Sequence, residues 1–211
     1  MMDSSDLPKN RHLAVTIRGF EHYSGWLTAG EQYAMVADLR KIVAQAPLMS
    51  PVTASGKPMS VRMTSAGSLG WVSDRSGYRY SPRHPSGMGW PAIPRSILAV
   101  WEAVAPGARA PESCLVNFYG PEAKMGMHQD RDETDFTQPV VSISLGDDGR
   151  FRIGNATRGG ATETLWLRSG DVMVMGGAAR LYYHGVDRIA PDTSLLLPKG
   201  GRINITLRVV T

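Results

Sequence analysis

Residues 202–208 read RINITLR, and the strict alternation of polar and apolar side chains in this stretch decides the fold. Successive side chains of a β-strand point to opposite faces, so one face of this strand is apolar and belongs in a core. The other face carries the polar set Arg202, Asn204, Thr206 and Arg208. Unpaired buried charges are very costly, so two inward-facing arginines require an anion, and a dicarboxylate would neutralise both.

The second half of the chain predicts a protein of many short strands. Apolar runs are separated by turn sequences such as Gly-Pro, Gly-Asp-Asp-Gly and Ser-Gly-Asp. Such a series favours two antiparallel sheets packed as a jelly roll, also called a double-stranded β-helix. The predicted strands span residues 114–119, 124–128, 140–145, 150–153, 162–167, 172–175, 181–186 and 202–209.

Three residues in these strands form a candidate metal site. His128 and Asp130 lie two residues apart and therefore on one face of a strand, and His184 can supply a second imidazole. Two histidines and one carboxylate leave coordination positions open, an arrangement that suits Fe(II) acting on dioxygen. A histidine-X-aspartate pair alone is a weak signal, because a strand histidine is more often a hydrogen-bonded structural residue.

Composition sets further limits. The chain has 211 residues, 42% hydrophobic and 20% charged, which indicates one globular unit rather than disorder. The formal net charge is +4 and most basic residues are arginine, which favours a polyanionic partner without proving one. Cys114 is the single cysteine, which fits a reducing compartment. We find no apolar run of membrane-spanning length, so we expect a cytoplasmic protein, and a monomer by default.

The first half of the chain divides into three parts. Residues 1–11 are polar and are expected to form a flexible tail. Thr28 and Glu31 have the spacing of a capping box and predict a helix that runs to about Ala46. Residues 48–94 mix Ser, Gly and Pro with aromatic residues and arginines, which indicates a binding lobe or lid, although a hydrophobic cluster under a long loop gives the same composition. Residues 12–110 are therefore interpreted as an N-terminal helical extension with a nucleotide-recognition lid, and 111–211 as the jelly-roll core.

Several segments resemble the AlkB family of Fe(II)- and 2-oxoglutarate-dependent dioxygenases, which repair alkylated nucleic acids. The resemblance covers nearly three quarters of the chain and is strongest to the bacterial branch. The segments, in chain order, are MSVRMTSAGSLGW, GYRYSP, CLVNFYGPEAKMGMHQDRDE, VVSISLG, RLYYHGV and RINITLR. One departure is Met175, where relatives often carry Trp.

The resemblance implies a role for each matching residue. It implies that Fe(II) is bound by His128, Asp130 and His184. It implies that 2-oxoglutarate, the cosubstrate used with dioxygen, is held by Asn117, Tyr119, Arg202, Asn204 and Arg208. Arg202 would take the distal carboxylate and Arg208 the carboxylate nearest the metal. The alkylated base would meet Met63, Trp71, Tyr78, Asp132 and Arg158.

The function implied is oxidative demethylation of 1-methyladenine and 3-methylcytosine in DNA, with single strands favoured, releasing formaldehyde, succinate and carbon dioxide. Three alternatives remain open on sequence alone. The same chemistry could act on RNA or another substrate. The chain could be a non-catalytic nucleic-acid-binding jelly roll with a structural metal, although such zinc sites normally have four ligands. A metal storage or sensing barrel would leave Arg202 and Arg208 unexplained.

Overall fold

The computed structural model describes residues 14–53 and 55–211. The expected tail, 1–11, and His12 lie outside the described residues. Two α-helices occur in this part of the chain, and a short 3-10 helix covers Gly177–Leu181. The helices are α1, Ala29–Gln45, and α2, Arg95–Val104.

Strands make up most of the described fold and form three antiparallel sheets. The strands are β1 Val15–Ile17, β2 Phe20–Tyr23, β3 Arg62–Gly67, β4 Gly70–Asp74, β5 Gly77–Ser81, β6 Ser113–Tyr119, β7 Met125–His128, β8 Val140–Gly146, β9 Asp148–Ile153, β10 Glu163–Leu167, β11 Val172–Met175, β12 His184–Ala190 and β13 Arg202–Arg208. The major sheet has the order β1-β2-β11-β8-β13-β6-β3, the minor sheet the order β10-β9-β12-β7, and β4 pairs with β5 in a hairpin. Two facing antiparallel sheets of this kind form the predicted jelly roll.

The major sheet is covered on both faces, which explains why β8 is buried along its whole length. One face packs against α1 and α2 in a first hydrophobic cluster that includes Val116, Ile143 and Ile205. The opposite face turns toward the minor sheet, where Leu115 and Phe151 belong to a second cluster. Neighbouring strand residues therefore serve different cores, as a side-chain period of two requires. The polar residues of β13 lie on the face toward the minor sheet.

Helix α1 begins where the sequence predicts. The Thr28 side chain accepts a hydrogen bond from the backbone of Glu31, whose carboxylate accepts one from the Thr28 backbone N–H at 2.8 Å. The helix ends at Gln45, one residue before Ala46. Its buried side chains, Met35, Val36, Leu39 and Ile42, lie on the stripe expected of an amphipathic helix.

The first half of the chain contributes more to the sheets than its composition indicates. β3 pairs with β6 along the edge of the major sheet, with Met63 opposite Asn117. Residues 48–94 have too few apolar residues in register to predict a core segment, and this expectation is wrong for β3, where Met63 and Ala66 are buried. The sheet takes β1, β2 and β3 from before residue 111, so the proposed division at that position falls within one continuous sheet. The division itself stays a prediction.

Two local expectations are corrected. A strand over 181–186 is predicted, but residues 177–181 form the 3-10 turn and β12 begins only at His184. The polar sequence surroundings of His22 and His84 predict surface positions, but both are largely buried, and their rings lie 3.0 Å from Asp171 and 2.8 Å from Ser86 respectively. Within the described ranges, no helix is long and apolar enough to cross a membrane.

The capping box predicts a stability effect. Thr28→Ala removes the acceptor for the helix N-terminus and is expected to lower the free energy of unfolding by about 1 kcal/mol. Urea unfolding followed by circular dichroism measures the change. Thr157→Ala, at an exposed loop threonine, is the matched control and is expected to change stability by less than about 0.5 kcal/mol. Equal effects of the two substitutions would contradict a stabilising cap.

Candidate metal and cosubstrate site

His128, Asp130 and His184 converge at one end of the space between the sheets. β7 and β12 pair so that His128 stands directly opposite His184, with ring centroids 4.6 Å apart. The Nε2 atom of each histidine lies 3.7 Å from an oxygen of Asp130. One donor atom from each residue lies within 4.8 Å of the others. The three side chains can therefore bind one ion together.

Both histidines are oriented by backbone carbonyls. His128 Nδ1 lies 2.9 Å from the Gly126 carbonyl oxygen, and His184 Nδ1 lies 3.0 Å from that of Tyr182. A neutral imidazole that donates through Nδ1 carries its lone pair on Nε2. The carbonyls thus favour the tautomer that presents Nε2 to a metal, which is the usual outer-shell arrangement for histidine ligands.

The protonation states also suit a cation. Burial lowers the pKa of His184 to about 4, and His128 adds to the effect, so the imidazole is neutral at neutral pH. Burial raises the pKa of Asp130, but Arg208 and both histidines outweigh this and hold it well below its usual range. Asp130 Oδ2 is buried and has no hydrogen-bond partner within the described part of the chain. A buried carboxylate oxygen that has no hydrogen-bond partner among the described residues, beside two imidazoles, fits Fe(II), so the residues present suit the metal.

Arg208 lies next to this group and is held by carboxylates. Its Nη2 donates to Asp130 Oδ1 at 2.9 Å, and its Nε lies 3.3 Å from Glu133 Oε1 without forming an aligned hydrogen bond. Burial lowers the pKa of Arg208, but these anions outweigh it and raise the pKa above its ordinary value. Nη1 has no partner. It remains available for a carboxylate of a bound acid.

Arg202 is fully buried at the other end of the same strand face. Its guanidinium donates to the Leu167 carbonyl at 3.0 Å and to Ser144 Oγ at 2.7 Å, while Nε has no partner. It forms no ion pair with a carboxylate in the described part of the chain, and burial lowers its pKa. A buried cation held only by neutral groups lacks a counter-ion, which a dicarboxylate would provide.

Two amides and a phenol lie between the arginines. In the register of β6 and β13, Tyr119 faces Arg202 and Asn117 faces Asn204. Asn117 Nδ2 lies 3.4 Å from Asn204 Oδ1, and the Asn117 Oδ1 atom has no partner. Burial raises the pKa of Tyr119 to about 12, so its hydroxyl stays protonated. The group offers polar hydrogen-bonding atoms beside both guanidinium groups.

The candidate base-binding residues lie at the mouth of the site. Trp71 of β4 stacks on Tyr78 of β5 with ring centroids 5.4 Å apart, and its indole N–H donates to Asp132 at 2.9 Å. Met63 is buried beneath them, and exposed Arg158 lies over the Tyr183 ring at 5.4 Å. Asp132 and Arg158 come from two different loops.

One cavity of about 630 Å³ brings all of these side chains together. It is lined by every residue that the sequence singles out: Met63, Trp71, Tyr78, Asn117, Tyr119, His128, Asp130, Asp132, Arg158, His184, Arg202, Asn204 and Arg208. The cavity also contains Tyr80, Glu133, Phe151 and Met175, which sequence reasoning did not include in the site. The acidic run that follows His128 is the one sequence feature that indicates a place for Glu133 near the site.

Gly149 provides a test of the Arg202 position. A Cβ atom at Gly149 would lie 2.7 Å from Arg202 Nε, the unpartnered nitrogen. Gly149→Ala is therefore expected to displace the guanidinium and weaken binding of 2-oxoglutarate, the acid implied by the sequence resemblance, by about ten-fold or more. Calorimetric titration of the Mn(II)-loaded protein measures the affinity. Gly120→Ala, where a Cβ has open space, is the control, and an equal loss in both variants would contradict the assignment.

Comparisons with known proteins agree with this geometry. The family model described as the 2OG-Fe(II) oxygenase superfamily matches residues 19–208. An alpha-ketoglutarate-dependent dioxygenase AlkB homolog of Caulobacter vibrioides is 51% identical over 92% of this chain and 89% of its own length. The alpha-ketoglutarate-dependent dioxygenase AlkB of Escherichia coli is 40% identical over 82% of this chain and 79% of its own length.

Solved structures show the same relationship. The structure of OsALKBH1 is 29% identical to this chain, with a TM-score of 0.78 over 93% of this chain and 99% of that one. A prolyl-4-hydroxylase of Pseudomonas putida shares the fold at a TM-score of 0.52 over 90% of this chain and 91% of its own. With its jelly roll, its His-Asp-His group and its identity to bacterial relatives, the chain belongs to the AlkB family of Fe(II)- and 2-oxoglutarate-dependent dioxygenases.

Proposed function

We propose that this enzyme removes methyl groups from 1-methyladenine and 3-methylcytosine in DNA, and that it converts 2-oxoglutarate to succinate and carbon dioxide while releasing formaldehyde. The observation that carries the proposal is the single cavity lined by the metal group, both buried arginines and the Trp71 platform. More distant relatives are named DNA N(6)-methyladenine demethylase ALKBH1C of Arabidopsis thaliana and tRNA demethylase abh1 of Schizosaccharomyces pombe. Their names support a nucleic acid as the substrate.

Metal and cosubstrate binding are assigned to the inner part of the cavity. In this proposal His128, Asp130 and His184 hold Fe(II), which together with 2-oxoglutarate and dioxygen supplies the oxidising power that hydroxylates an N-methyl carbon. Arg202, with Asn204, Asn117 and Tyr119 beside it, binds the distal carboxylate. Arg208 uses its free Nη1 for the carboxylate nearest the metal.

Recognition of the base is assigned to the mouth of the cavity. A base methylated on its pairing edge is cationic, so the face of Trp71 and the carboxylate of Asp132 both favour it over the unmodified base. Such a base pairs poorly, which lowers the cost of turning it out of the helix. The Arg158 side chain lies at the cavity rim, where a phosphate or a base edge can reach it.

Finer points belong to the same proposal. We place the reaction in the cytoplasm, on single-stranded DNA in preference to duplex, with the chain acting as a monomer. RNA is the second candidate substrate, because one relative is named as a tRNA demethylase. In this proposal the cavity side chains are assigned to a base and to a carboxylate, and none of them is assigned to a ribose hydroxyl.

Product release on defined oligonucleotides tests the proposal. Formaldehyde and succinate are measured with Fe(II), ascorbate and 2-oxoglutarate on DNA and RNA oligonucleotides carrying 1-methyladenine, 3-methylcytosine or no lesion. We expect both products in equal amounts from methylated DNA and no formaldehyde without the lesion. Succinate that is independent of the lesion would contradict the substrate, and faster turnover of the RNA series would favour the second candidate.

The metal assignment has its own control in that assay. Asp130→Ala removes the carboxylate ligand that lies near both histidines. The variant is expected to lose formaldehyde release and iron binding, while its circular dichroism spectrum is preserved. Iron is quantified after gel filtration. Full activity of the variant would remove Asp130 from the metal site.

The Trp71 platform predicts a selective loss. Trp71→Ala is expected to lower kcat/KM for the methylated oligonucleotide by about ten-fold or more, since base stacking on an aromatic side chain contributes about 1–3 kcal/mol. Trp166, 41% exposed on β10 and outside the cavity, provides the matched control Trp166→Ala. An equal loss of kcat/KM in both variants, or no loss in either, would be evidence against a role of Trp71 in base binding.

A further inference from the structure

Glu133 is a buried carboxylate that the proposed reaction does not use. It is 5% exposed and receives three side chains from separate parts of the fold. Arg180 Nη2 donates to Oε2 at 2.9 Å, Arg208 Nε lies 3.3 Å from Oε1, and the Tyr80 hydroxyl donates to Oε1. An ionised carboxylate inside a protein is retained at high cost unless such partners stabilise it.

The contact with Arg208 concerns the cosubstrate half of the site. Asp130 and Glu133 are the two carboxylates that pair with this guanidinium, through Nη2 and Nε. Only Nη1 remains without any partner close by. The two carboxylates therefore attract the guanidinium from two sides and leave Nη1 as the donor that a bound carboxylate can reach.

Arg180 connects the same carboxylate to the chain that carries the metal ligand. It is 3% exposed, and besides Glu133 its guanidinium donates to the carbonyl of Asp130 at 2.6 Å and to that of Gln138 at 3.0 Å. Arg180 thereby spans the connection between β7 and β8. The hydrogen bonds of Arg180 to Glu133, Asp130 and Gln138 therefore help to hold the Glu133 side chain in place.

Tyr80 connects Glu133 to the base-binding half. Tyr80 lies on β5, the strand that also carries Tyr78, and it pairs directly with Trp71 of β4. Burial raises the pKa of Tyr80, with Glu133 adding to the effect, so the phenol stays protonated and can donate. One carboxylate oxygen, Glu133 Oε1, therefore contacts both the hairpin that presents Trp71 and the arginine assigned to 2-oxoglutarate.

We propose that Glu133 is a positioning residue that sets Arg208 for 2-oxoglutarate, and that the Tyr80–Glu133 hydrogen bond couples base binding at the hairpin to cosubstrate binding. The proposal rests on the proposed function, since it needs a base at Trp71. When a base orders the hairpin, Tyr80 holds Glu133 against Arg208. The coupling is reciprocal, so 2-oxoglutarate and the methylated strand tighten each other's binding by one and the same factor.

Binding measurements separate this coupling from a merely structural role. The full chain is loaded with Mn(II) and titrated anaerobically with 2-oxoglutarate, alone and with a saturating 1-methyladenine oligonucleotide, by calorimetry. The coupling factor is the ratio of the two dissociation constants. For the unaltered protein we expect a factor of about five or more. A variant that only loosens the fold weakens both affinities alike and leaves their ratio unchanged.

Tyr80→Phe removes one hydroxyl and is expected to bring the coupling factor to about one. Tyr33→Phe is the control, because Tyr33 is 58% exposed on α1 and lies outside the cavity, and it retains the factor of the unaltered protein. Glu133→Gln keeps the shape but removes the charge, and is expected to raise the 2-oxoglutarate dissociation constant about ten-fold or more even without nucleic acid.

The outcomes distinguish the two proposals. An unaltered protein with a factor near one, or a Tyr80→Phe variant that retains the full factor, overturns the coupling even if demethylation is confirmed. Unchanged 2-oxoglutarate affinity in Glu133→Gln overturns its positioning role. Demethylation that fails while 2-oxoglutarate still binds, and still responds to Glu133→Gln, overturns the proposed function and leaves Glu133 assigned to the cosubstrate. If Glu133→Gln does not fold, the comparison of Tyr80→Phe with Tyr33→Phe still decides the coupling.

Discussion

The burial of two guanidinium groups on one strand is the constraint on which the rest of the structure depends. Arg202 and Arg208 stand at opposite ends of β13, which lies between β8 and β6 inside the major sheet. Arg208 is compensated by Asp130 and Glu133, whereas Arg202 finds only neutral acceptors in the described structure. The fold therefore tolerates one cation without a counter-ion. The uncompensated charge lowers the stability of the fold but leaves a site prepared for an acid. Binding of that acid restores the lost stability.

Such a site needs rigid support, and the two hydrophobic clusters provide it. The helices cover one face of the major sheet, so its strands cannot shift register without exposing apolar side chains. The inward face is then free to carry polar groups without loss of the core. This separation explains why Val116 packs in the core while Asn117, its neighbour in sequence, lines the cavity. Preorganisation of this kind reduces the ordering cost of binding.

The sequence predicts the part of the site that depends on local periodicity. Alternation along 202–208 and 114–119 is enough to put Arg202 with Asn204, and Asn117 with Tyr119, on one face of each strand. The pairing of the two strands, which alternation does not predict, places Arg202 opposite Tyr119 and Asn204 opposite Asn117. No periodic pattern in the sequence indicates the contacts among Glu133, Arg180 and Tyr80. Glu133 follows a charged run that resembles a solvated loop, and the segments that surround it are far apart in the chain. The burial of β3 is missed for a related reason, since its polar residues are buried by pairing with β6 rather than by their own character.

Asp130 shows why the metal and cosubstrate halves of the site act as one unit. Its Oδ1 accepts from Arg208, while Oδ2 is left without a hydrogen-bond partner beside the histidines. One carboxylate is therefore divided between an arginine and a prospective metal ion. A cation bound at Oδ2 neutralises part of the negative charge of Asp130, so the Arg208 guanidinium is less well compensated. Arg208 then attracts a further anion more strongly. The same electrostatics that hold Asp130 ionised thus make an acid bound beside the metal more favourable than an acid bound alone.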